Sequence, residues 1–254
     1  MKIRTWLGGG FLVLLVFGIG FVSHLPASFV IKHYAAKLPE GLTLSQPKGT
    51  VWQGQVNLSY QGVEFEQVAW RLGTKALFNG LFKQTLSVAL KVRNAQEQLD
   101  VTLVFTPENL SLSVPQGQLD IGRIAQAFAQ QHFMLRGLQG QLHFRDLALS
   151  VDFKQAWLQS LSGQLVVTDL AMMGEQVEQL NLNVSMQQQT VMLALTAEEA
   201  EWALQGLSRF NPPNRFDSEF ELNTQQPNRF PDWALMTMQQ TSPTEARAQM
   251  RGQW

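Results

Sequence analysis

From Leu42 onward, apolar side chains recur at every second position. Leu86, Val88, Leu90 and Val92 alternate with polar or small residues, as do Leu99, Val101, Leu103 and Phe105, and then Leu110, Leu112 and Val114. Period two places such a set on one side of a pleated strand, so each run predicts a strand with one apolar face. Asn94 to Gln98 and Thr106-Pro107-Glu108-Asn109 read as turns, and strands joined so briefly form an antiparallel meander. Val63, Phe65, Val68, Trp70 and Leu72 predict a strand before it. Leu180 to Met186, Val191 to Leu195 and Phe216 to Leu222 predict strands after it, broken by the polar tip Gln187-Gln188-Gln189 and the turn Asn211-Pro212-Pro213-Asn214.

Few stretches follow the helical period. Ile121, Ile124, Ala125 and Phe128 share one helical face, which predicts a helix over 120–131 with Asp120 as N-cap, lying on the sheet. Residues 230–240 also have helical character. Ala197 to Leu207 reads as helix by its Ala and Glu content or as strand from Trp202. Gly73 to Phe82 is a short helix or a loop presenting Leu77, Phe78, Leu81 and Phe82, and Ala246 to Trp254 is a last strand or a tail.

The strand pattern also repeats. Leu135-x-x-Leu138-x-Gly140-Gln141-Leu142-x-x-x-Asp146-Leu147-Ala148 returns 23 residues later as Leu158-x-x-Leu161-x-Gly163-Gln164-Leu165-x-x-x-Asp169-Leu170-Ala171, with a shorter echo at Trp52 to Val56. Read physically, Gly140 and Gly163 mark a bulge or a close backbone approach at a strand start, while Asp146 and Asp169 end strands as turn caps. The repeat favours strands laid side by side in a curved sheet over a Greek-key sandwich.

Ahead of all this stands an uncharged stretch, Thr5 to His24, holding the apolar run Trp6 to Val22. A helix of that length spans about 26 to 30 Å, the hydrocarbon thickness of a bilayer. The run is longer than the ~7–15 apolar residues of a signal peptide, and Phe21-Val22-Ser23 and Leu25-Pro26-Ala27 fail the small-x-small cleavage pattern, so a retained signal-anchor is expected. The predicted organisation is a cytoplasmic tail over 1–4, a transmembrane helix over 5–24 embedded in phospholipid, a juxtamembrane helix and connector over 25–41, and one β-rich periplasmic domain over 42–254. In the connector Pro26 opens a helix whose Val30, Ile31, Tyr34, Ala35 and Leu38 form one stripe, resting either on the domain or on the bilayer surface. The expected fold class is therefore mainly β: one membrane helix, then one curved, largely antiparallel sheet with a few short helices.

Composition narrows the function. Net charge −1, with 19 Lys and Arg scattered among 20 acids, argues against nucleic acid, and the absence of cysteine removes disulfides, thiolate nucleophiles and the usual structural zinc sites. The histidines, His24, His33, His132 and His143, form no His-x-x-x-His pair, and no nucleophile elbow, phosphate loop or nicotinamide fingerprint occurs. Asp146 and Asp169 are the one pair of carboxylates that acid/base chemistry could use, and their equivalent repeat positions point to turns instead. No catalysis, metal or cofactor is expected.

One motif remains. Leu38-Pro39-Glu40-Gly41-Leu42-x-Leu44 followed by Gly49-Thr50-Val51-Trp52-Gln53-Gly54-Gln55, behind an N-terminal apolar segment and Leu25-Pro26-Ala27-Ser28, resembles the type II secretion system protein N family. The resemblance implies an inner-membrane protein of a Gram-negative bacterium, mostly periplasmic. It would be an accessory part of the machine that exports folded proteins and would contact other secretion subunits. Within the motif, Gly49 and Gly54 are expected to serve backbone turns, Trp52 the core, and Thr50 and Val51 the structure between them. A second expectation is a lipid-binding module whose sheet forms an apolar trough, similar to the periplasmic AsmA proteins. Phe128, Phe133 and the 73–82 aromatics are the residues that would plug it.

Overall fold

A computed structural model describes residues 24–34, 38, 40–73, 84–94, 96–128, 137–154, 157–172 and 175–253. They form one 14-stranded sheet in the order β1 to β12, then β14 and β13. The strands are β1 Leu42–Gly49, β2 Gln53–Tyr60, β3 Val63–Leu72, β4 Leu86–Arg93, β5 Gln98–Phe105, β6 Asn109–Asp120 and β7 Gln139–Asp152. They continue as β8 Trp157–Met172, β9 Glu175–Gln187, β10 Thr190–Glu198, β11 Trp202–Asn211, β12 Arg215–Thr224, β13 Gln239–Ser242 and β14 Glu245–Gln253. Every pairing is antiparallel, and β1 and β13 are left as edges. From β1 to β12 neighbours in sequence are neighbours in space, as the repeat and short turns predicted; β14 then lies between β12 and β13. The ambiguous 197–207 stretch becomes the end of β10, a turn and the first part of β11, and 246–253 falls in β14.

Among the described residues three helices accompany the sheet: α1 Ala27–Tyr34, α2 Ile121–Phe128 and α3 Asp232–Thr237. The Asp120 carboxylate accepts hydrogen bonds from the backbone N–H groups of Gly122 at 2.8 Å and Arg123 at 3.3 Å, which is why α2 begins there. Through Ile31, α1 packs on the core cluster of Val56, Val68 and Val92, so this helix rests on the sheet, while Phe29 and Tyr34 stay exposed. Among the described residues no helix is long and apolar enough to cross a membrane. The expected anchor over 5–24, His24 apart, lies outside them, as do 74–83 and Phe133; of Phe128 only the backbone is described.

The register gives the sheet two unlike faces. Val88, Leu103, Leu112, Leu149 and Leu161 are successive cross-strand partners from β4 to β8, and Val167, Leu180, Ala197, Leu204, Leu222 and Ala246 continue from β8 to β14. No charge enters either row. On the opposite face lie ion pairs such as Arg93–Asp100 at 2.6 Å and Arg247–Glu221 at 3.3 Å. These half-exposed pairs contribute about 0–1 kcal/mol each and keep that face wet.

Among the described residues no second sheet covers the apolar face. A two-layer domain of this size would bury many leucines and phenylalanines, whereas the buried apolar residues described here are almost all Val and Ala, and Leu222 is the largest that is fully enclosed. Its rings lie down on the sheet instead of meeting a facing layer. Trp70, Phe144, Phe220 and Phe216 stand directly across the ladder from Gly54, Gly117, Gly206 and Gly252. At Gly206 a Cβ would come within 2.7 Å of the Phe220 ring, and at Gly252 within 2.6 Å of Phe216. Gly54, Gly206 and Gly252 are therefore each the floor on which a ring rests, which buries ring and backbone laterally, whereas over Gly117 the Leu99 side chain lies closer than Phe144. Gly206→Val tests this, because strand propensity alone favours valine. The clash with Phe220 is expected to win and to destabilise the protein by about 1–3 kcal/mol in a denaturant titration. An unchanged midpoint would show that the ring has room to lift away.

Candidate functional site

The family-like motif forms the turn between β1 and β2. Gly49 has φ +91° and pairs with Gly54, where a side chain on Gly49 would meet the Gln53 carbonyl oxygen at 2.6 Å. Only glycine fits that combination of backbone angle and closeness. Thr50 closes the turn, its N–H donating to the Gln53 carbonyl at 2.8 Å, and the Gln53 N–H donates to the Thr50 hydroxyl at 3.3 Å. The sequence reading needs adjusting at two positions. Gly54 serves close approach rather than a turn angle, since the Trp70 ring covers it. Trp52 is only half-buried, and the tryptophan packed on the core is Trp70, whose indole N–H donates to the Val51 carbonyl at 3.0 Å.

This turn also receives the chain from its N-terminal side. The Val51 N–H donates to the Leu25 carbonyl at 3.0 Å, and Pro26 makes an antiparallel bridge with Thr50. The residues immediately after the apolar segment are thus fixed to the sheet at one corner. That corner belongs to the rim formed by Leu72, Leu86, Asn109, Asp152, Arg215 and Gln253, here the lower rim. Asp120, Glu198, Thr224 and Glu245 mark the upper rim.

The repeat residues occupy a different place from the one expected. Asp146 and Asp169 do not end strands; they lie inside β7 and β8 with φ of 49° and 53°. Between the pairs Arg145–Gln164 and Ala148–Ser162, Asp146 and Leu147 face the single residue Gly163. Between Gln139–Ala171 and Gln141–Thr168, Asp169 and Leu170 face Gly140. Each copy's Asp-Leu is a bulge received by the other copy's glycine. Antiparallel pairing of two units 23 residues apart brings unlike ends of the repeat together, and Asp is among the few side chains that tolerate the left-handed bulge position. Similar irregularities, with left-handed Gln46 and Gln67, occur in β1 and β3. Each one bends and twists the strand that carries it.

As an acid/base pair the two aspartates are badly placed. Gly140 faces Asp169 and lies six residues from Asp146 along β7, so the carboxylates sit on the order of 20 Å apart along the strands. Paired carboxylates in glycoside hydrolysis stand within about 10 Å. His143 lies in β7, with Nε2 3.3 Å from the Thr168 hydroxyl. Among the described residues no three His, Asp or Glu side chains converge on a point. If Asp146 serves only the bulge, Asp146→Asn should leave the unfolding midpoint within about 0.5 kcal/mol of the original. Asp146→Val should cost about 1–2 kcal/mol, because a β-branched residue resists a positive φ. A large loss with Asn would assign the charge a role that the geometry does not provide.

Sequence reasoning missed one polar cluster. Glu97, in the β4–β5 turn, has a side chain with 0% exposure. One carboxylate oxygen accepts from Asn94 Nδ2 at 2.8 Å and from Arg123 Nη1 at 2.9 Å; the other has no partner. Arg123 reaches from α2 to donate also to the Glu64 carbonyl, and its guanidinium sits 5.9 Å from the Phe65 ring centre. The cluster clamps α2 onto β3 and the β4–β5 turn. In the sequence Glu97 is an acid in a polar turn, with nothing to signal burial.

The family model for type II secretion system protein N matches residues 40–240, which covers the two-faced sheet from before β1 into β13. The chain belongs to the type II secretion system protein N family. Within that family, the type II secretion system protein N of Vibrio cholerae serotype O1 is 38% identical over 74 residues, a stretch covering 29% of this chain and 29% of that protein. No solved structure matches the chain.

Proposed function

We propose that this member of the protein N family is an accessory inner-membrane component of a type II secretion system. In this reading Thr5 to His24 anchors the chain with its N-terminus in the cytoplasm. The sheet then stands in the periplasm and supports export of folded proteins through contacts with other secretion subunits, without catalysis. The observation that carries the reading is the family match across nearly the whole sheet. The 14-stranded sheet of the described residues accords with it, since its large faces and its edges at β1 and β13 suit contact with neighbours better than enclosure of a substrate. The Gly49 to Gly54 turn is assigned the role of fixing the sheet to the emerging anchor.

Two measurements test this. Deleting the gene should reduce the amount of secreted substrate reaching the medium and leave it in the periplasm, and the full chain should restore export. A reporter active only in the periplasm should work when fused after Trp254. A cytoplasmic C-terminus or undiminished export would overturn the assignment.

A second reading, binding of a lipid or other hydrophobe, is favoured by one observation: the apolar face is least covered towards the lower rim. Phe105, Leu110, Leu158, Val191 and Phe216 are only half-buried there, while Val114, Val167, Ala197 and Leu222 further up their strands are buried. Mass spectrometry of the intact protein in gentle detergent should then find a co-purifying acyl chain. Protein mass alone would remove this reading.

A further inference from the structure

We propose that the lower rim of the sheet rests on the surface of an anionic phospholipid bilayer, with Phe153 and Lys154 at headgroup level and the strands rising away from it. The inference depends on the anchor assigned above and adds an orientation and a contact surface.

Two observations single out this rim, the attachment of the emerging chain and the division of charge, and its exposed apolar side chains suit it to a bilayer. The chain emerging from the apolar segment is fixed there, because Leu25 and Pro26 are bound to Val51 and Thr50. Large apolar side chains face solvent at this end, as Tyr60, Leu235 and Met236 also do at the upper rim. Phe153, directly after β7, is 53% exposed; Leu86, the first residue of β4, and Phe29, in the first turn of α1, are exposed as well. A phenylalanine beside a lysine just past a strand end is well suited to a boundary where the ring meets acyl chains and the ammonium group meets phosphate.

Charge is divided between the rims in the same sense. Lys48, Arg71, Lys154, Arg209, Arg215 and Arg251 lie towards the lower rim, against Glu108, Asp152 and Asp217. Lys154 is paired with Glu108 at 2.8 Å and Arg251 with Asp217 at 2.6 Å, so the cationic excess is modest. The contrast comes from the other end, where most of the chain's 20 acids collect, among them Glu175, Glu178, Glu198, Glu199, Glu201 and Asp232. β8 has 16 residues and spans about 50 Å. An anionic surface under the lower rim therefore leaves the acidic rim several screening lengths of about 10 Å away. The inverted orientation would press the acids against that surface.

The chain contains no cysteine, so single reporters can be introduced cleanly. The full-length protein carrying Phe153→Cys, Leu86→Cys or Met236→Cys would be labelled with a fluorophore. It would then be reconstituted in nanodiscs of phosphatidylethanolamine and phosphatidylglycerol containing a headgroup-quencher lipid. Met236 lies on α3 at the upper rim and is 79% exposed. The expected result is loss of fluorescence at positions 153 and 86 and none at 236. Equal quenching at both rims, or quenching at 236 alone, overturns the orientation. Protein that fails to co-elute with the nanodiscs overturns the anchor itself, whereas co-elution with unquenched 153 and 86 removes only the membrane-resting rim.

Discussion

Arg123→Ala is expected to lower the unfolding free energy by about 3–5 kcal/mol, the usual cost of stranding one member of a buried ion pair. The size follows from Glu97, whose carboxylate is fully enclosed and already has one oxygen without a partner. Without Arg123, only the Asn94 side chain bonds that carboxylate, and α2 loses its bond to the Glu64 carbonyl and its contact with Phe65. Adding Glu97→Gln to the alanine variant should restore part of the loss, because no buried charge then remains. Urea titrations of the two single variants and the double variant measure this directly. Purely additive losses would contradict the clamp. The same truncation at Lys91, exposed on the polar face near Asp100, should change stability by no more than about 1 kcal/mol.

The second large effect is expected at the heart of the repeat. Gly163 has φ +148°, and a Cβ there would stand 2.6 Å from the Leu147 Cα. Gly163→Ala combines a disfavoured backbone angle with a clash against backbone that cannot rotate aside. Strain of roughly 1–3 kcal/mol from the first and a similar amount from overpacking give a loss of roughly 2–5 kcal/mol. β7 and β8 are among the longest strands and hold the middle of the sheet, so hydrogen exchange should show the loss spreading over both. Gly62→Ala is the control. Gly62 also has a positive φ, +90°, but nothing lies within 4 Å of its Cβ position, so only the angle is penalised. Equal losses at the two sites would mean that the interlocked bulge adds nothing.

How much of this was legible depends on which forces leave a local trace. Alternation gave the strands, because a sheet with one dry face must alternate, and Leu86 to Val92 shows it without interruption. The tandem order was legible too, since turns as short as Thr106 to Asn109 can join only neighbouring antiparallel strands. The repeat was visible, but the role of its aspartates was not. A 23-residue offset says nothing of which glycine faces which bulge, and Asp is as common in turns as at left-handed bulge positions. Trp52 stands out through its motif, yet it is Trp70 that packs against the core cluster, because the ring's seat is a glycine on another strand. Glu97 left no trace, since its burial depends on an arginine 26 residues later on a helix above it.

The central claim is that this sheet works beside other secretion subunits at the inner membrane. Photocrosslinking in living cells tests it most directly, with the full chain carrying a photoreactive residue in turn at exposed positions of the polar face, such as Gln205, and of the β1 edge. The account predicts adducts with inner-membrane or periplasmic subunits of the secretion machine. Crosslinks that capture none of those subunits at any position, from a chain shown to be folded and membrane-bound, would contradict it.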